Sequence, residues 1–342
     1  MNLSPAEQNL LARAIQEEVP LVSQPWNEIG LKLGLDGGDI LAQLRTWKDE
    51  GKLREISAVL EGSLLGYESA LCTAAVPAEH LAAAAAAVSE HPTVSHNYLR
   101  DHAYNLWFTI AVPQTMGLVR TLRRLAARAG LQAIQPLRRT RTFKIGVNFD
   151  LFAQKNRSEA DDIPPASSAA GLDPTPEEAG LFRVLQAPLP LTERPFLEMA
   201  RATGTDEEEM LTFARKHGGG AIRRYVATFR HRQVGVHGNV LVVWNVAEGR
   251  LEEVGLQLAA VPEVSHCYGR EAFCGFPYTL YSMIHGPDEV SCLRLAAELS
   301  SMTGVEDYLP LPSRREFKKC RLRYFLPELD EWWKSCGEES AA

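Results

Sequence analysis

The chain has 342 residues, with 36 lysines and arginines against 43 aspartates and glutamates and a formal net charge of −7. This length accommodates two or more domains and a substantial core without disulfides or structural metals. The acidic balance disfavours a protein whose main task is binding the phosphate backbone of nucleic acids. No stretch is apolar enough over its length to cross a bilayer, and the N-terminus lacks the basic region of a signal peptide. We therefore expect a cytoplasmic protein that does not enter the membrane.

Internal repetition organises the chain. On both sides of a Pro-, Ser-, Ala- and Asp-rich linker, three helical patterns and a β-rich segment predict a winged helix-turn-helix. The order strand, helix, strand, strand, helix, strand follows each time, which is the split ferredoxin-like order. We therefore predict an α+β fold, a tandem repeat of a winged helix-turn-helix and a ferredoxin-like βαββαβ domain. The predicted boundaries are 1–60 and 61–150 for the first half, 151–175 for the linker, and 176–232 and 233–342 for the second half.

The helix-turn-helix order ordinarily favours DNA binding, but the third helices begin with acids. Asp36 and Asp39 lie in DGGD, and residues 206–209 read DEEE. Residues 1–56 contain six Lys/Arg against nine Asp/Glu. Acidic side chains at the start of a recognition helix oppose contact with phosphates. We expect these units to act as scaffold or interface.

Two heptapeptides, VSHNYLR (Val94–Arg100) and VSHCYGR (Val264–Arg270), lie at corresponding places of the two halves. A lone histidine is more often structural. Here, however, His, Tyr and Arg occur at i, i+2 and i+4 of an extended segment, and this period points all three side chains to one face of a sheet. Such a face offers a group that titrates near neutral pH, a phenol and a fixed cation. The residues concerned are His96, Tyr98 and Arg100 in the first half and His266, Tyr268 and Arg270 in the second.

Basic residues cluster near the end of each half and around the first strand of the second half. In an acidic protein this suggests capture of a ligand with several negative charges, because Arg binds carboxylates bidentately. A solvated strand face that balances acids elsewhere is the alternative. The clusters contain Arg138, Arg139, Arg141 and Lys144; Arg314, Arg315 and Lys318; and Arg223 and His237.

Other chemistry lacks a recognisable motif. The six cysteines form no CxxC pair and no metal-finger spacing, which predicts reduced, packed thiols. The sequence has no GxGxxG, GxxxxGK[ST], HExxH or nucleophile elbow. Nucleotide cofactors and serine chemistry therefore have no positive support.

At the heptapeptides the sequence resembles the siroheme decarboxylases, relatives of the Lrp/AsnC regulators. HNYLRDHAYNLWFT (96–109) resembles one subunit type of that family, and HCYGREAFCGFPYTLYSMIHG (266–286) resembles the other. The resemblance implies that two subunit types, which are often separate chains, are fused here and pair with each other. Whether the fused chain forms a further homo-oligomer stays open. Phe276 and Thr279 depart from the family pattern, where Trp and Asn are expected.

The resemblance implies removal of CO2 from two acetate side chains of siroheme, giving didecarboxysiroheme for haem d1 or haem b synthesis. No cofactor beyond the iron-containing tetrapyrrole substrate is implied, and no metal site made by the protein alone. An axial ligand to the siroheme iron from His96, His102, His237, His266 or His285 stays open. The implied catalytic residues are His96, His266, Tyr98 and Tyr268. The implied substrate-binding residues are Arg100, Arg270, Tyr104, Asn105, Tyr278, His237, His285, Arg138, Arg139, Arg141, Lys144, Arg223, Arg314, Arg315 and Lys318.

Two questions stay open from the sequence. An Lrp/AsnC-type transcription regulator and a haem sensor that binds a tetrapyrrole without reacting are the rival functions. The acidic third helices argue against the regulator. The two motifs either enclose one composite site or form two equivalent sites.

Overall fold

A computed structural model of the chain describes residues 3–145, 171–229 and 238–336, with the backbone of two short strands between the first two ranges. These residues form two compact units. The first unit contains residues 3–65 and 171–229, and the second contains residues 66–145 and 238–336. Like parts of the two halves are therefore grouped together, which the linear order of the repeat does not specify.

The elements follow the predicted order in both halves, and a helix that the pattern did not predict follows the last strand of the second half. The first half contains α1 (Pro5–Glu17), α2 (Pro25–Leu33), α3 (Gly37–Asp49), β1 (Leu53–Leu60), β2 (Tyr67–Ala74), α4 (Leu81–Glu90), β3 (His96–Arg100), β4 (Leu106–Pro113), α5 (Leu118–Ala129) and β5 (Gln135–Ile145). The short strands are β6 (Asn148–Phe149) and β7 (Asn156–Arg157). The second half contains α6 (Pro176–Leu185), α7 (Pro195–Thr203), α8 (Glu207–His217), β8 (Ile222–Phe229), β9 (Gly238–Trp244), α9 (Leu251–Ala259), β10 (Val264–Arg270), β11 (Leu280–Gly286), α10 (Glu289–Thr303), β12 (Tyr308–Lys319) and α11 (Pro327–Ser335).

Side-chain caps explain the acids at the start of the third helices. The Asp36 carboxylate accepts hydrogen bonds from the backbone N–H groups of Gly38 (2.8 Å) and Asp39 (3.1 Å) at the start of α3. Asp206 accepts from Glu209 N (2.7 Å) at the start of α8. These bonds satisfy orphan donors, and the negative charge suits the positive end of the helix dipole.

Corresponding residues of α3 and α8 tie the two halves of the first unit together. Arg45 donates to the carbonyl oxygen of Leu191 (2.8 and 3.0 Å), and Arg215 donates to the carbonyl of Leu21 (3.3 Å). Strands β1 and β8 pair antiparallel in the same unit. The third helices thus use these cations to connect the two halves of this unit.

The second unit is a closed sheet in the order β10-β11-β9-β12-β3-β4-β2-β5, which returns to β10. Each half supplies four consecutive strands. The two junctions join the last strand of one half to the motif strand of the other: β5 pairs with β10, and β12 pairs with β3. The motif strands therefore lie on opposite sides of the closed sheet, and each depends on the opposite half for one neighbour.

The described residues of this unit form three apolar clusters. One packs β2 and β4 against α4 and α5 with Trp332 of α11, and a second packs β9, β10 and β11 against α9 and α10. The third fills the inside of the closed sheet and draws on both halves through Trp107, Phe276 and Tyr281. An eight-stranded barrel has an interior of a width that side chains can fill. Among the described residues, every helix is too short or too polar to span a bilayer.

Candidate functional site

The first motif presents its three polar residues on one face of β3. Asn97 points to the helix layer, where its Nδ2 donates to Ala85 O (3.0 Å). The His96 and Tyr98 rings stack with centroids 6.1 Å apart, and the Arg100 guanidinium lies 5.5 Å from the Tyr98 ring centroid. This is the arrangement that the period-2 pattern predicted.

The second motif repeats this arrangement on β10. Cys267 is buried in the cluster that packs against α9. The His266 and Tyr268 rings lie 6.0 Å apart, and the Arg270 guanidinium is 5.2 Å from the Tyr268 ring. The structure therefore brings together the predicted His, Tyr and Arg of each copy, at two separate places.

Each motif arginine reaches the last strand of the opposite half. Arg100 Nη1 donates to Leu311 O (2.5 Å), and Arg270 Nη1 donates to Leu137 O (2.9 Å). Burial lowers the pKa of Arg100 to about 10 and also lowers the pKa of Arg270. Within the described part of the chain, the buried Nε atoms of both arginines have no hydrogen-bond partner. A buried cation with a spare donor favours an anionic ligand.

A serine precedes each motif histidine and binds its Nδ1. Ser95 Oγ lies 3.0 Å from His96 Nδ1 and 2.7 Å from Thr109 Oγ1. Sequence reasoning missed these hydroxyls, although both heptapeptides read VSH and so carried the signal.

The second serine has a different further partner. Ser265 Oγ lies 2.8 Å from His266 Nδ1 and 2.8 Å from His285 Nε2. Burial, followed by the Lys319 ammonium, lowers the pKa of His285 to about 4. His285 is therefore neutral at neutral pH, and it is linked to the second motif through Ser265.

The predicted Tyr104 and Tyr278 belong to an aromatic cluster of both halves. The Tyr104 ring contacts Phe273 (4.9 Å) and Phe276 (6.0 Å), and Tyr278 contacts Phe276 (4.8 Å). The His102 ring lies 5.4 Å from Phe276, and burial lowers the pKa of His102. Phe276, which departs from the family pattern, is an apolar core residue here.

Asn105, predicted to bind substrate, pairs with the main chain instead. Its Oδ1 accepts from Val76 N (3.0 Å), and its Nδ2 donates to Val76 O (2.8 Å). Thr279 bonds the N–H and carbonyl of Val246 in the second half, at 3.3 and 2.7 Å. Thr279 thus replaces Asn105 with an equivalent main-chain contact.

Lys144 and Lys318 also have structural partners. Lys144 Nζ donates to Val261 O (2.7 Å) beyond α9 of the opposite half. Lys318 Nζ donates to Ser89 O (2.7 Å) and His91 O (3.1 Å) at the end of α4. Their amines serve main-chain carbonyls, which speaks against the predicted binding of substrate carboxylates.

Several predicted cations form ion pairs with acids. Arg138 contacts Glu68 (2.8 Å) and Glu271 (3.7 Å). The remaining pairs are Arg141 with Glu252, Arg314 with Asp101 (2.6 Å) and Glu289 (3.0 Å), and Arg223 with Glu61 (3.9 Å) in the first unit. These contacts fit the alternative in which basic strand faces balance acids.

The remaining cations lie near aromatic rings. Arg139 is exposed, with its guanidinium 5.9 Å from the Tyr268 ring, and Arg315 lies 4.9 Å from Phe317. His237 lies outside the described residues. Among the described side chains, no group of three or more His, Cys, Asp or Glu could hold a metal ion.

Family models match both parts of each half. A model described as a siroheme decarboxylase NirDL-like HTH domain matches residues 7–54 and 178–223. A model described as an AsnC-like ligand-binding domain matches residues 64–144 and 233–318. The repeat is thus found by the family models as well.

Relatives match either nearly the whole chain or one half of it. The siroheme decarboxylase of Hydrogenobacter thermophilus is 36% identical over 95% of this chain and 96% of its own. The siroheme decarboxylase β subunit of Methanosarcina barkeri is 37% identical over 42% of this chain and 95% of its own. The crystal structure of the siroheme decarboxylase NirDL with an iron-uroporphyrin III analogue has 32% identity and a TM-score of 0.79, covering 96% of this chain and 98% of that one. This chain therefore belongs to the siroheme decarboxylase family.

Proposed function

We propose that this protein is a siroheme decarboxylase, which removes CO2 from two acetate side chains of siroheme to give didecarboxysiroheme. The observation that carries the proposal is the pair of His-Tyr-Arg faces on β3 and β10, each with a buried arginine Nε that no described residue binds. The family relationship and the NirDL complex with an iron-uroporphyrin III analogue support it. The product serves either haem d1 or haem b synthesis.

The chemistry needs few protein groups. When the bond to the carboxylate breaks, CO2 leaves and the electron pair stays on the side-chain carbon, where the conjugated macrocycle of the substrate delocalises it. An acid must then deliver a proton to that carbon. We propose no cofactor beyond the tetrapyrrole substrate itself.

The motif residues have distinct proposed roles. His96 and His266 are the proton donors, and Tyr98 and Tyr268 orient the reacting carboxylates. Arg100, Arg270 and the exposed Arg139 hold carboxylates that are retained. Asn105, Lys144 and Lys318 are left out because their polar atoms are bonded to the main chain.

Two separate sites are favoured over one composite site. The motif strands lie on opposite sides of the closed sheet, and its interior contains an apolar cluster that includes Trp107, Phe276 and Tyr281. A macrocycle that reached both motifs from inside would have to displace these rings. We therefore propose one decarboxylation site at each motif.

We propose that each half is a winged helix-turn-helix followed by a ferredoxin-like domain, with the halves paired so that each completes the sheet of the other. The helix-turn-helix units are scaffold, since Arg45 and Arg215 are occupied at their interface.

The test is anaerobic incubation of the protein with siroheme, followed by mass spectrometry of the tetrapyrrole. Loss of mass corresponding to two CO2 molecules is the expected result. Tetrapyrrole binding without mass loss would overturn the enzyme and favour the haem sensor. A gel-shift series at low salt tests the regulator, and we expect no DNA complex.

A further inference from the structure

We propose that Ser265 and His285 form a hydrogen-bonded proton relay that ends on His266 and makes the second motif the faster proton donor. Both are positioning residues that act through His266. The inference rests on the proposed function, which it deepens.

The relay is continuous in the structure. Ser265 Oγ lies 2.8 Å from His285 Nε2 on one side and 2.8 Å from His266 Nδ1 on the other. Both distances are those of good hydrogen bonds. His285 is held in place by its backbone N–H, which donates to Glu263 O (2.9 Å).

A serine hydroxyl has a single proton, and this couples the two imidazoles. If His285 Nε2–H donates to Ser265 Oγ, the serine can donate to His266 Nδ1, which leaves the His266 proton on Nε2. If the chain runs the other way, His266 carries its proton on Nδ1 and its Nε2 is a base. Met283 O, at 3.4 Å from Ser265 Oγ, is a more distant acceptor for the same proton. With that proton in the shorter contacts to the two imidazoles, the tautomer of His266 is set by that of His285.

The proton transfer balances without a further reactant except water. Nε2–H of His266 moves to the side-chain carbon that holds the electron pair left by CO2. The Ser265 hydroxyl proton moves to His266 Nδ1, and the His285 Nε2 proton moves to Ser265 Oγ. His285 then takes a solvent proton on Nδ1, and His266 regains the Nε2–H tautomer by exchange after the product leaves.

Among the described residues, the first motif has no counterpart of His285. His96 pairs with Thr109 across β3 and β4, as His266 pairs with Met283 across β10 and β11. Two residues further along the strand, β11 has His285, whereas β4 has Ala111. Ser95 bonds instead to the Thr109 hydroxyl, which both donates and accepts and so fixes no tautomer.

Electrostatics supports the relay. His285 is largely enclosed and faces the Lys319 ammonium, which together lower its pKa to about 4. It is therefore neutral at neutral pH, with one nitrogen free to accept while the other donates.

The experiment compares S265A with S95A and H285A with the wild type, by following each CO2 loss under anaerobic single-turnover conditions. S265A and H285A should slow one decarboxylation by about tenfold or more, since general acid catalysis contributes about 10²–10⁴-fold. S95A should slow the reaction by less than about threefold. S265T keeps the hydroxyl and should restore most of the rate.

A second measurement does not depend on activity. In protein labelled with ¹⁵N-histidine, the nitrogen shifts of His266 should report one dominant tautomer in the wild type and a mixture in S265A and H285A. Equal slowing by S265A and S95A, or an unchanged tautomer in H285A, would overturn the relay. A wild-type protein that removes no CO2 would overturn the proposed function instead, and the nitrogen shifts would still test the relay.

Discussion

The two motif copies have the same arrangement of His, Tyr and Arg and differ in the hydrogen-bonding groups next to the histidine. In both, a tyrosine lies between the histidine and an arginine that reaches the opposite half. Behind His96 lie the Ser95 and Thr109 hydroxyls, whereas behind His266 lie Ser265 and a second imidazole. The copies therefore retain the face that meets the substrate in our proposal and have diverged in how the proton is supplied.

The surroundings of the tyrosines differ as well. Tyr98 OH lies 3.4 Å from Glu316 Oε2, while the Tyr268 ring has the guanidinium groups of both Arg270 and Arg139 near it. An acid beside one phenol and an additional cation beside the other give the two faces different local charge. Two acetate groups of one substrate would thus meet different environments.

Replacing a motif histidine should have the largest effect on the rate of decarboxylation. His266→Ala and His96→Ala should each slow one decarboxylation by about 100-fold or more, because each removes a proton donor. Mass spectrometry should then find a product that has lost a single CO2. Loss of both decarboxylations from either single change would contradict two separate sites.

Lys144 and Lys318 have the same structural role in the two copies, since the amine of each donates to main-chain carbonyls of the opposite half. Lys144→Met and Lys318→Met should each lower the free energy of unfolding by about 1–3 kcal/mol, because main-chain carbonyls lose their donor. Urea unfolding measures the change. Arg315→Met, at an exposed cation, is the control and should change it by less than about 0.5 kcal/mol. Unchanged stability in both lysine variants would contradict the structural role.

His91 gives the first copy an acid sensitivity that Val261 cannot give the second. Burial, followed by the Lys318 ammonium, lowers the pKa of His91 to about 3. The unfolded chain takes up this proton near pH 6.5, so stability falls as the pH decreases below 6.5, by about 1.4 kcal/mol per unit for this group. His91→Asn should reduce that slope in urea unfolding at several pH values. An unchanged slope would contradict the prediction.

The smallest effect on stability is expected at Asn105 and Thr279, which differ in residue type but make equivalent hydrogen bonds to the main chain. Asn105→Thr and Thr279→Asn should each change stability by less than about 0.5 kcal/mol, while Asn105→Ala should cost about 1 kcal/mol through the lost bonds to Val76. Thermal unfolding checks the series. A Thr variant as damaging as the Ala variant would show that the two contacts are not equivalent.

The sequence was sufficient for the local features. The period-2 spacing predicted one polar face on each motif strand, and the element order of the repeat matches the structure. These features depend on neighbours a few residues apart, which a pattern can reveal.

Partners distant in sequence could not be predicted. Lys144 was grouped with nearby arginines as a carboxylate ligand, but its amine meets Val261 O, more than 100 residues further along. His285 was expected at the substrate and lies behind His266 instead, because the pairing of β10 with β11 determines which side chains meet. Charge and residue type do not specify such a register.

The exchanged strand pairing has a consequence for how the chain is made. The first half emerges from the ribosome with both β3 and β5 as open sheet edges, which invite pairing with other chains. Both edges are closed only when β12 and β10 arrive from the second half. Joining the halves in one chain keeps the correct partner at high effective concentration during that interval. Fusion therefore acts as protection against misassembly as well as a way to fix the ratio of the two halves.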